Sequence, residues 1–287
     1  MGRLADRIGN VLVTAAATRA IAAVAAPAAD LLPGGRARWD RTNHRGETVT
    51  LLEGPVAALG IASGALLARH TSSRLRAAAA LAALGAGAFG ALDDLRGSGT
   101  DRGFRGHLAA LRSGRVTTGA VKIAGLGATG WVASRTAGHR GADALVSGAV
   151  VAGMSNLTNL LDLRPGRSLK LALLHAPALV VGSGAALLGP PVGAAVALLP
   201  DDLAERSMLG DTGANALGAA LGLAAVVTYG RAGRLVLLVA LVAATLASER
   251  VSFTELIART PALRALDELG RRPALSLIHI SEPTRPY

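Results

Sequence analysis

Apolar runs alternate with short polar connections along most of the chain. They fall near 8–32, 49–68, 75–95, 116–134, 142–163, 169–188, 190–200, 212–229 and 233–248. A helix that crosses a bilayer needs about 17 to 25 mostly apolar residues. The seventh run, "PPVGAAVALLP", is too short to cross alone and reads as a half-helix or the end of a longer tilted one. The pattern predicts an all-α polytopic membrane protein of about nine to ten transmembrane helices. Gly and Ala are spread through the runs, which suits close helix packing in lipid. No soluble domain and no internal repeat interrupts them, so 1–250 reads as one membrane domain. The stretch at 251–274, with "SFTELIARTPALRALDELG", is expected to form an amphipathic helix, either on the membrane surface or packed against the protein. The last residues, "LSLIHISEPTRPY" at 275–287, look like the translation of a sequencing-library adapter and are set aside as foreign. A native C-terminus is then expected to be missing.

Composition agrees with this pattern but does not establish it. The chain is 51% hydrophobic and 17% charged, against about 25% charged in soluble domains. Aromatic residues make up only 2%, so interfacial Trp and Tyr belts are nearly absent. The membrane assignment therefore rests on the length and spacing of the runs. The net charge of +11 comes almost wholly from Arg in short loops. There Arg acts as a topology signal and a phosphate contact, and the distribution argues against nucleic acid as a partner. With no Cys, the sequence carries no redox signature. "MGRLADRIGN" leads into the first run with no small-residue cleavage site, which predicts an uncleaved first helix. Loops after the first, third, fifth and seventh runs carry more Lys and Arg than the others, which predicts that they are cytoplasmic and the N-terminus outside.

The unusual polar residues fall on that same side. Asp93 and Asp94, in "GALDDLRG", end the third run. Adjacent carboxylates repel unless a cation lies between them. Asn156, Asn159 and Asp162, in "NLTNLLDLRPG", recur every third residue and share one arc of a helix. Such a stripe serves interhelical hydrogen bonding or a site. Asp211, in "MLGDTGANALG", starts the eighth run with Asn215 one turn on. It is well suited to cap a helix, or to join a helix N-terminus in holding metal and phosphate. Asp201, Asp202, Glu205 and Arg206 precede it as loop residues, with Asp202 and Arg206 as candidate edges of the site. Arg45, His107, Arg115 and Lys122 are candidate phosphate contacts, Lys122 standing out because it lies within an apolar run. His175 reads as a hydrogen-bonded packing residue. Carboxylates favour Mg²⁺, with Mn²⁺ as an alternative, and Mg²⁺ beside basic loops favours chemistry on phosphate esters.

The ordered motifs "NHRG", "LDD", "GHLAALRSGRVTTGAVK", "NLTNLLDLRPG" and "MLGDTGANALG" resemble the polyprenyl-phosphate N-acetylhexosamine-1-phosphate transferases, the family that includes phospho-N-acetylmuramoyl-pentapeptide transferase. The resemblance covers about Arg36 to Leu221. It implies a multi-pass protein of the bacterial plasma membrane with a cytoplasmic active site. The implied reaction is Mg²⁺-dependent transfer of a sugar-1-phosphate from a UDP-sugar to polyprenyl phosphate, releasing UMP, in cell-wall or surface-glycan synthesis. By motif match, Asp93, Asp94 and Asp211 are the implied catalytic residues, with Asp94 and Asp211 on the metal. Asn156, Asn159 and Asp162 would line the nucleotide side, and Lys122, Arg45 and His107 would contact substrate. The partners implied are the lipid phosphate, the UDP-sugar and the membrane; a homodimer stays open. The chain departs from the family pattern in Glu53-Gly54 for "GG", in Asp162-Leu163 for "DG", and in lacking a His-rich loop and a tenth helix.

Two other readings compete. A transporter or flippase would use intramembrane Asn, Asp, Lys and His, but the acids gather at one side and not near the midplane. An intramembrane aspartyl protease would pair Asp93 with Asp211, but its "GxGD" pattern is not met, because position 208 is Met. The D-G-x-x-A-R core of the CDP-alcohol phosphotransferases is absent.

Overall fold

The computed structural model describes residues 2–43, 45–96, 117–180 and 185–273. Helices dominate: α1 (Gly2–Asp30), α2 (Glu53–Leu67), α3 (Ser73–Arg96), α4 (Thr118–Ala137), α5 (Gly141–Leu161), α6 (Arg167–Leu173), α7 (Ala185–Leu203), α8 (Gly210–Thr228), α9 (Arg231–Ser248), α10 (Phe253–Arg259) and α11 (Pro261–Glu268). Five of them (α1, α3, α5, α7 and α9) are long and apolar enough to cross a membrane. That corrects the expected nine to ten. α4 carries Lys122 and Arg135, α8 carries Asp211 and Asn215, and α2 is short. The run at 169–188 is not one helix. α6 stops at Leu173, and a 3-10 turn at Ala176–Leu179 carries Pro177; a proline lacks the N–H that would continue the ladder. The seventh run is the second half of α7.

α8 is the centre of the bundle. Its Ala- and Gly-rich surface lets α2, α3, α5 and α7 pack around it, and nearly every residue from Thr212 to Val226 is buried. Small side chains supply little apolar area each, so close backbone approach does the work that large side chains do in soluble cores. α9 is peripheral: only Arg234 and Leu241 are buried along it.

Between α1 and α2 lies a small antiparallel hairpin, β1 (Asp40–Thr42) and β2 (Thr48–Thr50), in register Asp40↔Thr50 and Arg41↔Val49. Apolar periodicity did not predict it, since three-residue strands leave no such signal. Its turn is built by Asn43, whose Oδ1 accepts from the backbone N–H groups of Arg45 and Glu47, both at 2.9 Å. The hairpin docks on the α7–α8 connection, where the Met208 N–H donates to the Thr50 carbonyl at 3.0 Å.

The predicted C-terminal amphipathic helix is two short helices. Thr260 is extended (φ −100°, ψ 108°) before Pro261, as expected of a residue preceding proline. Both pack against α6. Arg167 donates to both Asp267 carboxylate oxygens at 2.8 and 3.1 Å, and Lys170 donates to the Leu266 and Asp267 carbonyls.

Candidate functional site

The site forms where the end of α3 meets the start of α8. Gly90 lets the two backbones touch: a Cβ there would lie 2.3 Å from the Asp211 carbonyl oxygen. One turn on, Asp94 reaches across to α8. Its Oδ1 accepts from the Asp211 N–H at 3.0 Å, and its Oδ2 accepts from the Thr212 N–H at 2.8 Å and the Thr212 hydroxyl at 2.6 Å. The first N–H groups of a helix have no partner within the helix. Asp94 supplies one from a neighbouring helix, and its negative charge suits the positive end of the α8 dipole. The preceding Gly210 has φ +57°, which glycine adopts readily.

This arrangement reassigns the cap. Asp211 had two expected roles, cap of its own helix or site carboxylate, and leaves the first to Asp94. The Asp211 carboxylate turns instead to Lys122, whose Nζ donates to Oδ2 at 2.6 Å. The same ammonium stands 3.5 Å from Asp93 Oδ2. Three helices (α3, α4 and α8) thus bring Asp93, Lys122 and Asp211 together. Lys122 is buried in this cluster and does not snorkel outward.

Beside the cluster opens a cleft of about 340 Å³, lined among others by Arg41, Asn43, Asp162, Arg164, Asp202 and Ser207. Arg41 joins the two features, donating to the Asp94 carbonyl at 2.6 Å. Asp162 leaves the end of α5 and enters this cleft. Burial, then the nearby Asp202 carboxylate, push its carboxyl well above the usual carboxylate range. Asp202 closes the last turn of α7 and accepts from the Gly166 N–H at 2.8 Å. It is a buried wall of the cleft, a firmer place than the loop position read from the sequence.

The Asn stripe does not act as one unit. Asn156 points to α9, donating to the Thr245 hydroxyl at 3.2 Å. Asn159 is half-buried on the turn between Asn156 and Asp162. Asn215 is fully buried against Ser155, and its Nδ2 has no partner. Arg45 pairs with Glu205 at 2.9 Å and donates to the Arg272 and Pro273 carbonyls, so it is tied to the C-terminal segment. His107 and Arg115 lie outside the described residues. His175 bonds the Leu171 carbonyl at 2.8 Å, as a packing residue should.

Sequence reasoning missed Arg41, Thr212 and Glu53. Glu53 is buried at the start of α2, hydrogen-bonded to Ser207, with Oε1 unpartnered. Its only signal in the sequence was the departure from the family's "GG". Among the described residues, no three His, Cys, Asp or Glu side chains gather at metal-ligating distance. Asp93 and Asp211 offer two hard oxygen donors from different helices around one cationic position, which the Lys122 ammonium takes. Mg²⁺ commonly binds through one or two carboxylates, with water and substrate phosphate completing its shell. The donor set therefore suits it, and Asp94, committed to α8, suits it less than Asp93. Neither a scan of protein-family models nor a search of curated proteins finds a match to this chain.

Proposed function

We propose that this protein is a membrane-embedded transferase that moves a sugar-1-phosphate from a UDP-sugar to polyprenyl phosphate and releases UMP. The observation that carries the reading is the Asp93–Lys122–Asp211 cluster, held at an α8 start fixed by Asp94 and adjoining a polar cleft. The motifs "LDD", "GAVK" and "GDTG", distant in sequence, supply the three side chains of that cluster. The proposed orientation puts the cluster on the cytoplasmic face of a bacterial plasma membrane, where nucleotide sugars are available, with the N-terminus outside.

In this reading Asp211 and Asp93 would hold Mg²⁺, with Mn²⁺ as substitute, and the ion would supply neutralisation of diphosphate charge. Lys122 holds the two carboxylates in register and offers its ammonium to a phosphate oxygen as charge builds up. Asp94 positions Asp211 without touching substrate. Arg41 and Arg164 present guanidinium groups to the cleft, where Asp162 and Asn43 supply hydrogen-bonding partners for a nucleotide. A phosphate monoester is already largely ionised at neutral pH, so positioning and charge neutralisation carry most of the rate.

The test is to incubate purified protein with undecaprenyl phosphate, Mg²⁺ and a panel of UDP-sugars, and to follow UMP and lipid-diphosphate-sugar by mass spectrometry. Formation of both products is expected with at least one sugar. UMP release that does not depend on the lipid phosphate, or no product with any sugar, would overturn the proposal.

A further inference from the structure

A second polar cluster lies at the opposite end of the bundle. α4 runs away from Lys122 and ends at Ala137, and α8 runs away from Asp211 and ends at Thr228. A helix of this length spans about 30 Å, so the α4–α5 and α8–α9 connections sit roughly that far from the first site. There, Arg234 in the first turn of α9 is buried to 7% exposure. Its Nη1 donates to the buried Ser147 hydroxyl at 2.9 Å and lies 2.7 Å from His139 Nδ1. Its Nη2 is 3.0 Å from Asp143 Oδ1, and its Nε has no partner among the described residues. His139 Nδ1 is also 2.8 Å from Asp143 Oδ2.

One ring nitrogen therefore faces two groups with opposite demands. A guanidinium only donates hydrogen bonds and a carboxylate only accepts them. When Nδ1 carries no proton, it can accept from Arg234 but has nothing to give Asp143. When Nδ1 carries a proton, it can donate to Asp143, and Arg234 then meets an N–H at 2.7 Å. In a doubly protonated ring that N–H also carries positive charge. Arg234 Nη1 also lies 3.4 Å from Nε2, so either neutral tautomer leaves it an acceptor, and only the doubly protonated ring leaves it none.

The surroundings bias the outcome. Asp143 is the one acid in contact with His139 or Arg234 among the described residues. The charged groups nearest the cluster besides Asp143 are cationic: Arg74 at the start of α3, whose Nη1 approaches Gly138, Arg135 and Arg140 beside the α4–α5 turn, and Arg231 at the start of α9, while Asp6 at the same end of the bundle pairs with His70. A proton added to His139 raises an already positive field, and Arg234 is the cation closest to it.

α9 is poorly placed to resist losing this contact. Its other anchors are the partly buried Leu237 and Leu238, Leu241 packed against Gly153, and the Asn156–Thr245 hydrogen bond at its far end. We propose that His139 is a proton-operated latch, which holds the first turn of α9 against α5 when it is neutral and releases Arg234 when it is protonated. Acid on that face would loosen the Arg231–Leu241 half of α9 and leave the half held by Asn156 in place.

Hydrogen exchange on the full chain in nanodiscs reads this directly. Protection of 231–241 is measured at about pH 8 and about pH 5.5, which bracket the range in which imidazoles change charge, with rates corrected for intrinsic exchange and referred to α8. Protection should fall about tenfold at the lower pH, the scale of one hydrogen bond to a charged group. His139→Gln can accept from Arg234 but cannot take up charge, and should be protected at both pH values. His139→Lys should be weakly protected at both. Equal protection of the wild-type protein at both pH values would overturn the latch. So would a pH response that persists in His139→Gln, which would put the titrating group elsewhere.

Discussion

Replacing Asp94 separates its role from that of its neighbour Asp93. Asp94 accepts three hydrogen bonds from Asp211 and Thr212 at the start of α8. Each hydrogen bond to a charged group is worth about 1.5–3 kcal/mol in isolation. The three share one carboxylate, however, and measured losses of helix caps are about 0.5–2 kcal/mol. Asp94→Asn keeps one acceptor oxygen but turns an NH₂ toward a backbone N–H. A loss near the top of the cap range, about 2 kcal/mol, is expected, which corresponds to a fall of roughly 4–8 °C in unfolding temperature for a chain of this size. Asp93 makes a longer contact, 3.5 Å to Lys122, and its side chain is 22% exposed. Asp93→Asn should therefore cost less than about 1 kcal/mol, or under about 4 °C, while abolishing UMP release. Thermal unfolding followed by far-ultraviolet circular dichroism in a single detergent compares the two variants directly. If Asp94→Asn melts with the wild-type protein, or Asp93→Asn melts as early as Asp94→Asn, the division of labour between the two carboxylates is wrong.

Three further predictions concern other parts of the molecule. Lys122→Met should lower turnover by about 10²-fold or more, the scale of removing one charge-stabilising donor, with partial rescue in Lys122→Arg, and unchanged kcat in the Met variant would count against the cluster. At Asp267, burial raises the carboxyl, but hydrogen bonds and charge from Arg167, with Arg271 and Lys170, outweigh it, and the net shift is downward. A lowered native pKa gives stability that is present above the unfolded value of about 4 and is lost as pH falls through the native one. α10 and α11 should then become protease-sensitive in acid, and Asp267→Asn should make them so at neutral pH. Asp162 behaves in the opposite sense: its raised native pKa means stability is lost as pH rises above about 4. Asp162→Asn should flatten that part of the stability–pH curve, as seen in unfolding temperatures taken across the range.

The long apolar helices were legible in the sequence because length and hydropathy alone set them; α3, α5, α8 and α9 fall within a few residues of the predicted runs. The run at 169–188 was misread because average hydropathy hides His175 and Pro177, at which the helix gives way to a 3-10 turn. At the site, the motifs marked Asp93, Asp94, Lys122 and Asp211 as candidates without saying which of them would touch. They could not foretell which adjacent carboxylate serves structure. Neighbours on a helix point about 100° apart, and only the position of α8 decides which of them faces it. The Asn156–Asp162 stripe was a sound helical reading that failed at its end, because α5 stops at Leu161 and Asp162 turns into the cleft.

The contact at Gly90 has one more consequence. Because main chain meets main chain there, the separation of Asp93 from Asp211 is gauged by two backbones, with no side chain as a shim between them. Substitutions in the surrounding Ala-rich packing can change how tightly the bundle closes without resetting that gauge. A chain whose sequence has drifted widely elsewhere could thus keep these carboxylates in register, provided that position 90 stays bare.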